Sequence, residues 1–287
     1  MITMKKIGII PNFEKDPGLK DTRKIVEYIK SIECEPVLAN PSADMLGEAK
    51  AVDTEELFKT SDFIVVLGGD GTLLKAAEKA SIYDKPILGI NFGTMGFLTD
   101  SEKAGAEDSI LKAVNGQCCI EKRIMLSGSL CKQGITEEHY ALNDICFSRG
   151  VFATMTKMTL YINGEYLESF RGDGVIICTP TGSTAYNLSA GGPIIKPNTD
   201  VVVITPICTH TLNNRSIVVP SEDVITIEID EGLKSDVLLA MDGKVQSTLK
   251  AKDRVTITKS PYKASIIKTN GYGFYEVLRK KIEGKES

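Results

Sequence analysis

Two hydrophobic periodicities alternate over the first third of the chain. Continuous apolar runs, typical of strands covered on both faces of a parallel sheet, predict strands at residues 6–10, 36–39, 63–67 and 86–90. The stretches between these runs have helical spacing, with Ile25, Ile29 and Ile32 on one face of a first helix and residues 73–80 forming a later one. This β-α-β-α rhythm predicts an α/β fold with an open, mostly parallel sheet and crossover helices.

The pattern changes at about residue 120, where strands begin to follow one another with little helix between them. Asn163-Gly164, between two alternating runs, is a strong hairpin signal. Helical spacing returns only near the end of the chain. We therefore predict an α/β N-terminal domain (residues 1–120), a mainly antiparallel β C-terminal domain (121–268) and a last helix that packs back on the first domain (269–287).

Composition and charge limit the possible partners. The 287 residues carry a net charge of −4 and are 25% charged. A nucleic-acid binder normally has a basic surplus, so we expect no nucleic-acid partner. An anionic substrate must then be held by local groups rather than by the field of the whole protein. No apolar run approaches membrane-spanning length, so we expect no membrane association.

The cysteines and histidines indicate the compartment and argue against a protein metal cluster. Seven cysteines without a Cys-x-x-Cys pair favour reduced thiols over a zinc site or a disulfide framework. His139 and His210, the two histidines, have no partner at metal-ligand spacing. The apolar stretch at the N-terminus is too short for the core of a signal peptide. These features predict a cytoplasmic protein.

A glycine-rich turn joins the apolar run at 63–67 to the next predicted helix. It consists of Gly68, Gly69, Asp70, Gly71 and Thr72. Glycines let a backbone approach a phosphate and adopt positive φ, and the N-terminus of the following helix offers N–H groups. The turn therefore predicts phosphate binding at the carboxyl end of a parallel strand. Lys75, one turn into the helix, either helps to neutralise phosphates or is a solvated surface lysine.

Asp70 sets this turn apart from other phosphate loops, because a carboxylate repels phosphates. It fits phosphoryl transfer in two ways: it can hold a divalent cation that bridges the phosphates, or accept the proton of an attacking hydroxyl. The turn matches neither the Walker pattern nor Gly-x-Gly-x-x-Gly. The alternative is a tight turn in which Asp70 is only the helix N-cap.

A second polar constellation follows a predicted strand at residues 175–178. Residues 179–193, TPTGSTAYNLSAGGP, are dense in hydroxyls and glycines and suit a polar ligand held by short hydrogen bonds. Tyr186 offers an aromatic surface for a purine or nicotinamide ring, and Asp173 can accept hydrogen bonds from an amine or a ribose. The alternative is a surface loop rich in Gly, Ser and Thr.

Asn143 and Asp144 interrupt an apolar run that predicts one strand over residues 140–147. Two short polar side chains inside a strand indicate a ligand-facing position or a β-bulge. Such a pair can donate hydrogen bonds to ribose hydroxyls and accept them. A plain turn is the alternative.

Together, GGDGT at 68–72, ND at 143–144 and TPTGSTAYNLSAGGP at 179–193 resemble the bacterial NAD kinases over nearly the whole chain. GGDG alone is shared with phosphofructokinases and with lipid kinases, whereas TPTGSTAY is highly specific. The resemblance implies a kinase that phosphorylates the adenosine 2′-hydroxyl of NAD⁺ with ATP, other nucleoside triphosphates or polyphosphate, giving NADP⁺. It also implies Mg²⁺ or another divalent ion, and a homodimer or homotetramer.

The resemblance assigns roles to individual residues. Asp70 takes the role of catalytic proton acceptor, and Asn143 with Asp144 takes that of a dinucleotide-binding Asn-acid pair, in which many members have Glu instead of Asp. The other positions implied to bind substrate are Gly68, Gly69, Gly71, Thr72, Lys75, Arg171, Asp173, Thr184, Ala185, Tyr186, Asn187 and Ser189. A family Asp-Gly-Gln motif is Asp242-Gly243-Lys244 here, so a lysine replaces a glutamine contact.

Two other functional classes stay open at this point. One is a lipid or other small-molecule kinase that shares only GGDG, for which residues 179–193 would be a disordered or deletable loop. The other is a non-catalytic dinucleotide sensor on the same scaffold. Asp70 argues against the sensor, because a sensor has no need of a carboxylate among phosphates.

Overall fold

A computed structural model of the chain describes residues 4–48, 50–93, 96–132, 135–150, 156–209, 215–231, 236–270 and 273–283. The chain divides into two compact units. The first unit comprises Met1–Lys122 and Ala264–Ser287, and the second comprises Arg123–Lys263. These divisions lie within a few residues of the domain boundaries that the sequence predicts. His210 lies outside the described residues.

The first unit alternates strands and helices. Its elements are β1 (Lys6–Pro11), α1 (Lys20–Ser31), β2 (Glu35–Ala39), α2 (Ser42–Leu46), β3 (Ala51–Val52), α3 (Thr54–Thr60), β4 (Phe63–Gly68), α4 (Asp70–Ile82), β5 (Ile87–Asn91), β6 (Ser101–Glu102), a 3₁₀ turn (Lys103–Gly105) and α5 (Ala106–Val114). The strands are parallel and follow the order β3-β2-β1-β4-β5, with β6 beside β5. The predicted parallel α/β domain is confirmed.

Strand β1 shows how this sheet is covered on both faces. Ile7 and Ile9 point into an apolar core that they share with α1 and α5. Gly8 points to the other face, where a Cβ would lie 2.9 Å from Leu57 of α3 and 2.7 Å from Ile64 of β4. Helix α3 therefore packs directly on the strand backbone. All six residues of β4 are buried, as its continuous apolar run predicts.

The second unit consists mainly of antiparallel strands. They are β8 (Ile135–Ala141), β9 (Asp144–Arg149), β10 (Thr156–Ile162), β11 (Glu165–Gly172), β12 (Gly174–Cys178), β13 (Val201–Ile207), β14 (Ile217–Pro220), β15 (Ile225–Ile229), β16 (Val237–Met241) and β17 (Lys244–Leu249), with a 3₁₀ turn (Gly182–Thr184) and α6 (Tyr186–Ser189) after β12. One sheet has the order β14-β13-β12-β9-β16-β17. Strands β10, β11 and β15 belong to the other, and residues of both sheets share one core. The predicted antiparallel β domain is confirmed.

Two long strands cross the unit boundaries, namely β7 (Cys119–Lys132) and β18 (Arg254–Lys268). At the end of β18, Ile266 pairs in parallel with Ile87 of β5 in the first unit. Helix α7 (Phe274–Ile282) follows, and the ring of Phe274 lies 5.9 Å from that of Phe97. The chain therefore returns to the first unit at its end. No helix in the described part of the chain is long and apolar enough to span a membrane.

The single strand predicted over residues 140–147 is wrong. The apolar run is divided into β8 and β9, which pair in different sheets, and Leu142 and Asn143 form a bend between them. The polar pair therefore marks the place where the chain passes from one sheet to the other.

Candidate active site

The glycine-rich turn is the first turn of α4. The sequence predicts that this helix starts at about residue 73, but it begins at Asp70, with Gly69 as its N-cap. Gly71 and Thr72 are therefore helical. The expectation of positive φ in this turn is wrong, because Gly68, Gly69 and Gly71 all lie outside that region. A helix N-terminus directly after a strand needs no left-handed residue.

The Asp70 carboxylate holds the loop that follows β5. Its Oδ2 accepts the N–H of Phe97 at 2.8 Å, and its Oδ1 accepts those of Leu98 and Thr99, both at 3.2 Å. The N-cap alternative is therefore wrong, because the side chain binds a distant loop instead of its own helix. An ionised carboxylate has about four lone-pair positions, and three are filled. The remaining position, on Oδ2, is available for a substrate hydroxyl or a cation.

Close packing requires a glycine at one position of the turn, Gly68, and at Gly96 in the loop that Asp70 holds. A Cβ on Gly68 would lie 2.4 Å from the Thr72 hydroxyl, which accepts a hydrogen bond from the Asn12 amide at 2.7 Å. A Cβ on Gly96 would overlap the Asp70 carboxylate at 1.8 Å. Around the Cβ position of Gly71, in contrast, no described atom lies within 4 Å. The backbone at Gly71 is thus open to an approaching phosphate.

Lys15 is a cation at this turn that sequence reasoning missed. Its ammonium lies 3.2 Å from the position a Cβ would take on Gly69 and 3.1 Å from that on Gly93. Its side chain is exposed, and in the described part of the chain no acidic group pairs with it. The segment Asn12–Lys15 carries no motif in the sequence, so only the fold brings this lysine beside the turn.

The bend at Asn143 is fixed by a carboxylate from β16's end. Asp242 accepts the backbone N–H groups of Leu142, Asn143 and Asp144 at 2.8, 2.7 and 3.1 Å. The sequence indicates Asp242 only as part of a family motif. Its geometric role depends on a contact across about 100 positions of sequence, which no local pattern can predict.

Asp144 is a buried acid beside a second acid. It is 6% exposed, and burial together with the nearby charge of Asp242 raises its pKa to about 7. The same surroundings raise the pKa of the Cys146 thiol to about 12, chiefly through burial. A buried carboxylate of this kind favours a ligand that brings hydrogen-bond donors to it.

The segment 179–193 is attached to the Asn143 bend. The Thr179 N–H donates to the Asn143 carbonyl at 2.9 Å, and the Thr179 hydroxyl donates to the Leu142 carbonyl at 2.6 Å. A Cβ on Gly182 would lie 2.2 Å from the Asn143 carbonyl oxygen. The two polar motifs that the sequence places far apart therefore form one continuous structure.

Several side chains of this segment hold it together from within. Asn187 is fully buried; its amide donates to the carbonyls of Ser183 and Pro193 and accepts from the Thr205 hydroxyl at 2.6 Å. The Ser183 hydroxyl bonds to the backbone of Pro180 and of Ile195. Asn187 therefore positions this segment through both amide hydrogens and its amide oxygen, and its predicted ligand contact stays a prediction. These internal bonds also argue against a deletable surface loop.

The other predicted dinucleotide contacts lie around the Tyr186 phenol. The pKa of Tyr186 is raised, chiefly by burial and then by Cys146, Cys208, Asp173 and Asp144. Both carboxylates therefore lie near its ring. The ring itself is 47% exposed and so presents a free aromatic surface. Asp173 also forms an ion pair with Arg149 at 3.3 Å. Thr184, Ala185 and Ser189 lie beside Tyr186 in the chain and are exposed or half-buried; Arg171, on β11, is exposed.

Comparison with known proteins matches both units of the chain. A family model described as the ATP-NAD kinase N-terminal domain matches residues 8–118, and one described as the ATP-NAD kinase C-terminal domain matches residues 142–269. The chain belongs to the NAD kinase family. The resemblance drawn from its motifs is confirmed.

Relatives of similar length support the NAD kinase assignment. The chain is 41% identical to the NAD kinase of Caldanaerobacter subterraneus subsp. tengcongensis, over 97% of this chain and 99% of that protein. It is 40% identical to that of Ruminiclostridium cellulolyticum, over 99% and 100%.

Two solved structures of the family resemble this one. Yeast NADH kinase complexed with NADH has a TM-score of 0.87 at 25% identity, covering 99% of this chain and 89% of that chain. The NAD kinase of Archaeoglobus fulgidus in complex with ATP has a TM-score of 0.76 at 27% identity, covering 97% and 98%. Within this NAD kinase, Asp70 falls in the N-terminal family domain, and residues 143–193 fall in the C-terminal one.

Proposed function

We propose that this chain transfers the γ-phosphoryl group of ATP to the adenosine 2′-hydroxyl of NAD⁺, giving NADP⁺ and ADP. The observation that carries the proposal is the Asp70 carboxylate. It stands at the N-terminus of α4, fixed by three backbone N–H groups with one position of Oδ2 left available. Such a group can bind a single reacting hydroxyl in a defined orientation, which is the positioning that phosphoryl transfer requires.

The reaction forms a bond between the 2′-oxygen and the γ-phosphorus and breaks the bond between that phosphorus and the β,γ-bridging oxygen. In the proposed mechanism Asp70 Oδ2 accepts the hydrogen bond of the 2′-hydroxyl and then its proton as the new bond forms. The N–H groups of the first turn of α4, open at Gly71, and the Lys15 ammonium offset the charge that develops on the transferred group. ADP leaves, and the former bridging oxygen stays on its β-phosphate.

A divalent ion, which the family uses with ATP, fits this arrangement as a substrate-borne ion. In the described residues no three His, Cys, Asp or Glu side chains cluster to form a metal cage. Mg²⁺ in kinase sites is commonly held by one or two carboxylates, substrate phosphates and water. Asp70 would be the protein ligand, and the ion would offset phosphate charge. Because one position of Asp70 is left available, the carboxylate would bind either the ion or the 2′-hydroxyl there, and these are two alternative roles.

We propose that the second unit binds the dinucleotide. Asn143 offers an amide, and Asp144 offers a buried carboxylate, to ribose hydroxyls. Tyr186 presents its exposed ring to a base. The other proposed contacts come from Arg171, Asp173, Thr184, Ala185 and Ser189. Asn187 and Asp242 keep these groups in place.

The quaternary structure and compartment belong to the same proposal. A homodimer or homotetramer is expected, and light scattering on purified protein measures it. All seven cysteines are free thiols, which is compatible with the reducing environment of the cytoplasm.

The test is a phosphorylation assay on the purified protein, in which NAD⁺ and NADH are crossed with ATP, other nucleoside triphosphates and polyphosphate. NADP⁺ is detected with an NADP⁺-specific dehydrogenase, and diacylglycerol serves as the comparison acceptor. We expect NADP⁺ formation that depends on both ATP and a divalent ion. Phosphorylation of diacylglycerol alone, or NAD⁺ binding without ATP consumption at any metal concentration, contradicts the proposal.

A further inference from the structure

The loop that binds Asp70 is itself fixed by the end of the chain. Residues 96–99, which we call the Asp70-binding loop, include the three N–H groups that the Asp70 carboxylate accepts. Within the loop the Gly96 N–H donates to the Thr99 hydroxyl at 3.1 Å, which closes the loop into a turn. Because these bonds fix the carboxylate, a shift of the loop would shift or release Asp70.

Asp100 directly follows the Asp70-binding loop and is 3% exposed. Its Oδ2 accepts the Thr269 N–H at 2.8 Å, the Thr269 hydroxyl at 2.7 Å and the Asn270 N–H at 3.2 Å. The Asn270 amide donates in return to the Asp100 carbonyl at 3.3 Å. Hydrogen bonds to a charged group are stronger than those between neutral groups, so this carboxylate attaches the loop firmly to the end of the chain.

Lys268 adds a charged contact at the same place. Its ammonium lies 3.5 Å from the Thr99 carbonyl and 3.9 Å from Asp100 Oδ1, and its side chain is 13% exposed. An ion pair with this little access to water is screened much less than one on the surface. Residues 268–270 therefore bind both Thr99, which supplies one of the N–H groups to Asp70, and the residue after it.

Strand β5 supplies a second support for the loop. The Asp100 N–H donates to the Gly89 carbonyl at 2.9 Å. A Cβ on Gly89 would lie 3.1 Å from the Thr99 Cα, so the loop packs closely on this strand. The end of the loop is thus attached both to β5, through its backbone, and to residues 268–270, through a side chain. Only the second attachment can be removed by a conservative substitution.

We propose that Asp100 is a positioning residue for phosphoryl transfer, because its bonds to residues 268–270 fix the loop that orients Asp70. This inference rests on the proposed kinase function and adds a residue that acts through Asp70. Displacing a reacting group by about 1 Å can lower a rate roughly a hundredfold, so a small shift of the loop is enough to slow the reaction. The proposed NAD⁺ contacts lie in the second unit, so NAD⁺ affinity should change little.

The test compares Asp100→Asn and Thr269→Val with the matched control Thr22→Val. The Thr22 hydroxyl and N–H bind Oδ2 of the buried Asp16 at 2.8 and 2.9 Å. Thr269 binds Oδ2 of Asp100 in the same way. Valine keeps the shape and the N–H of threonine but has no hydroxyl. The two valine variants therefore remove the same kind of bond, one at the Asp70-binding loop and one at α1.

We expect Thr269→Val to lower kcat several-fold and Asp100→Asn to lower it by at least about tenfold, with KM for NAD⁺ within about twofold of wild type. Each kcat is divided by the fraction of protein that binds NAD⁺ in calorimetry, so that loss of folded protein does not count. Thr22→Val should lower the melting temperature about as much as Thr269→Val but keep the wild-type kcat. If Asp100→Asn does not fold, Thr269→Val decides.

Two results would overturn the positioning role while the proposed function stands. One is NADP⁺ formation by wild type with kcat unchanged in both Thr269→Val and Asp100→Asn, which would leave Asp100 a role in stability alone. The other is an equal loss of kcat in Thr22→Val and Thr269→Val. If the wild-type protein forms no NADP⁺ from ATP, the proposed function fails and the positioning role fails with it.

Discussion

Asp70 and Asp144 are two carboxylates that the fold places in opposite situations. Asp70 accepts hydrogen bonds from three backbone N–H groups. Asp144 is buried, and the second acid beside it, Asp242, takes the three N–H donors of the same bend. The bonds to Asp70 therefore hold its carboxylate in one orientation, whereas Asp144 is suited to accepting hydrogen bonds from a ligand.

The raised pKa of Asp144 predicts a pH dependence of stability. Burial and Asp242 raise this pKa from 3.8 to about 7. The folded state therefore binds the proton more tightly than the unfolded state does, so this stabilisation is complete below about pH 4 and is lost as pH rises through 7. The loss is on the order of 4 kcal/mol. We expect Asp144→Asn to flatten this part of the profile of unfolding free energy, measured by urea titration from pH 4 to 8.

Asp108→Asn, on the exposed surface of α5, controls for the loss of one negative charge. It should keep the wild-type slope. An unchanged slope in Asp144→Asn would show that Asp144 is not the group that titrates, and the charged neighbours to examine next are Asp242 and Asp173.

Sequence reasoning at the residue scale identified motifs but not their contacts. GGDGT correctly marks the junction between β4 and the helix that follows it, although that helix starts earlier than predicted. The partners of Asp70 are 27 to 29 positions away, in a loop without a motif of its own. Lys15 was missed for the same reason. Positive φ was predicted for the turn because glycines often adopt it, whereas here Gly68 makes room for the Thr72 side chain.

At the scale of elements, periodicity predicts strands and helices well where one period persists. β1, β2, β4 and β5 all lie where continuous apolar runs predict them. The prediction failed at residues 140–147, because apolar residues on both sides of the bend continue the strand pattern while the chain changes sheets. Only the pairing of β8 with β7, and of β9 with β12 and β16, separates them.

The packing between the Asn143 bend and the segment 179–193 predicts the effect of a single methyl group. A Cβ on Gly182 would lie 2.2 Å from the Asn143 carbonyl oxygen, so Gly182→Ala must push the two apart. We expect a loss of about 1–3 kcal/mol in unfolding free energy and a clear loss of NAD⁺ affinity by calorimetry. Gly18→Ala is the control, because its Cβ would meet only Lys20, at 4.0 Å. Equal affinities in the two variants would contradict the coupling of these motifs.

At the scale of the molecule, the change of rhythm near residue 120 suffices to predict an α/β unit followed by a β unit. The sequence also indicates that the chain returns to the first unit, but not by which contacts. Those contacts are Ile267, buried in the first core, and the Asp100 carboxylate, which accepts the N–H groups of Thr269 and Asn270. They form between segments separated by about 170 positions, so no window of sequence contains them.

These contacts predict that the first unit needs the end of the chain. Truncation after Lys263 removes Ile266 and Ile267 and leaves the buried Asp100 carboxylate without its donors, which costs several kcal/mol. We expect the first unit to unfold well below the wild-type melting temperature, as followed by circular dichroism. Truncation after Asn270 keeps these contacts, removes residues 271–287 with α7, and should cost far less. Equal losses in the two truncations would place the stabilising contacts in α7 instead.

The central claim is that Asp70 acts on the hydroxyl that NAD⁺ presents, and the measurement that tests it most directly is NADP⁺ formation by Asp70→Asn. The wild-type rate is compared with that of the variant at saturating NAD⁺ and ATP, alongside NAD⁺ binding by calorimetry and the melting temperature. Asn keeps the shape of the side chain but cannot take a proton, so we predict a loss of kcat of about a thousandfold with NAD⁺ binding still measurable. A kcat within about tenfold of wild type would contradict the assignment.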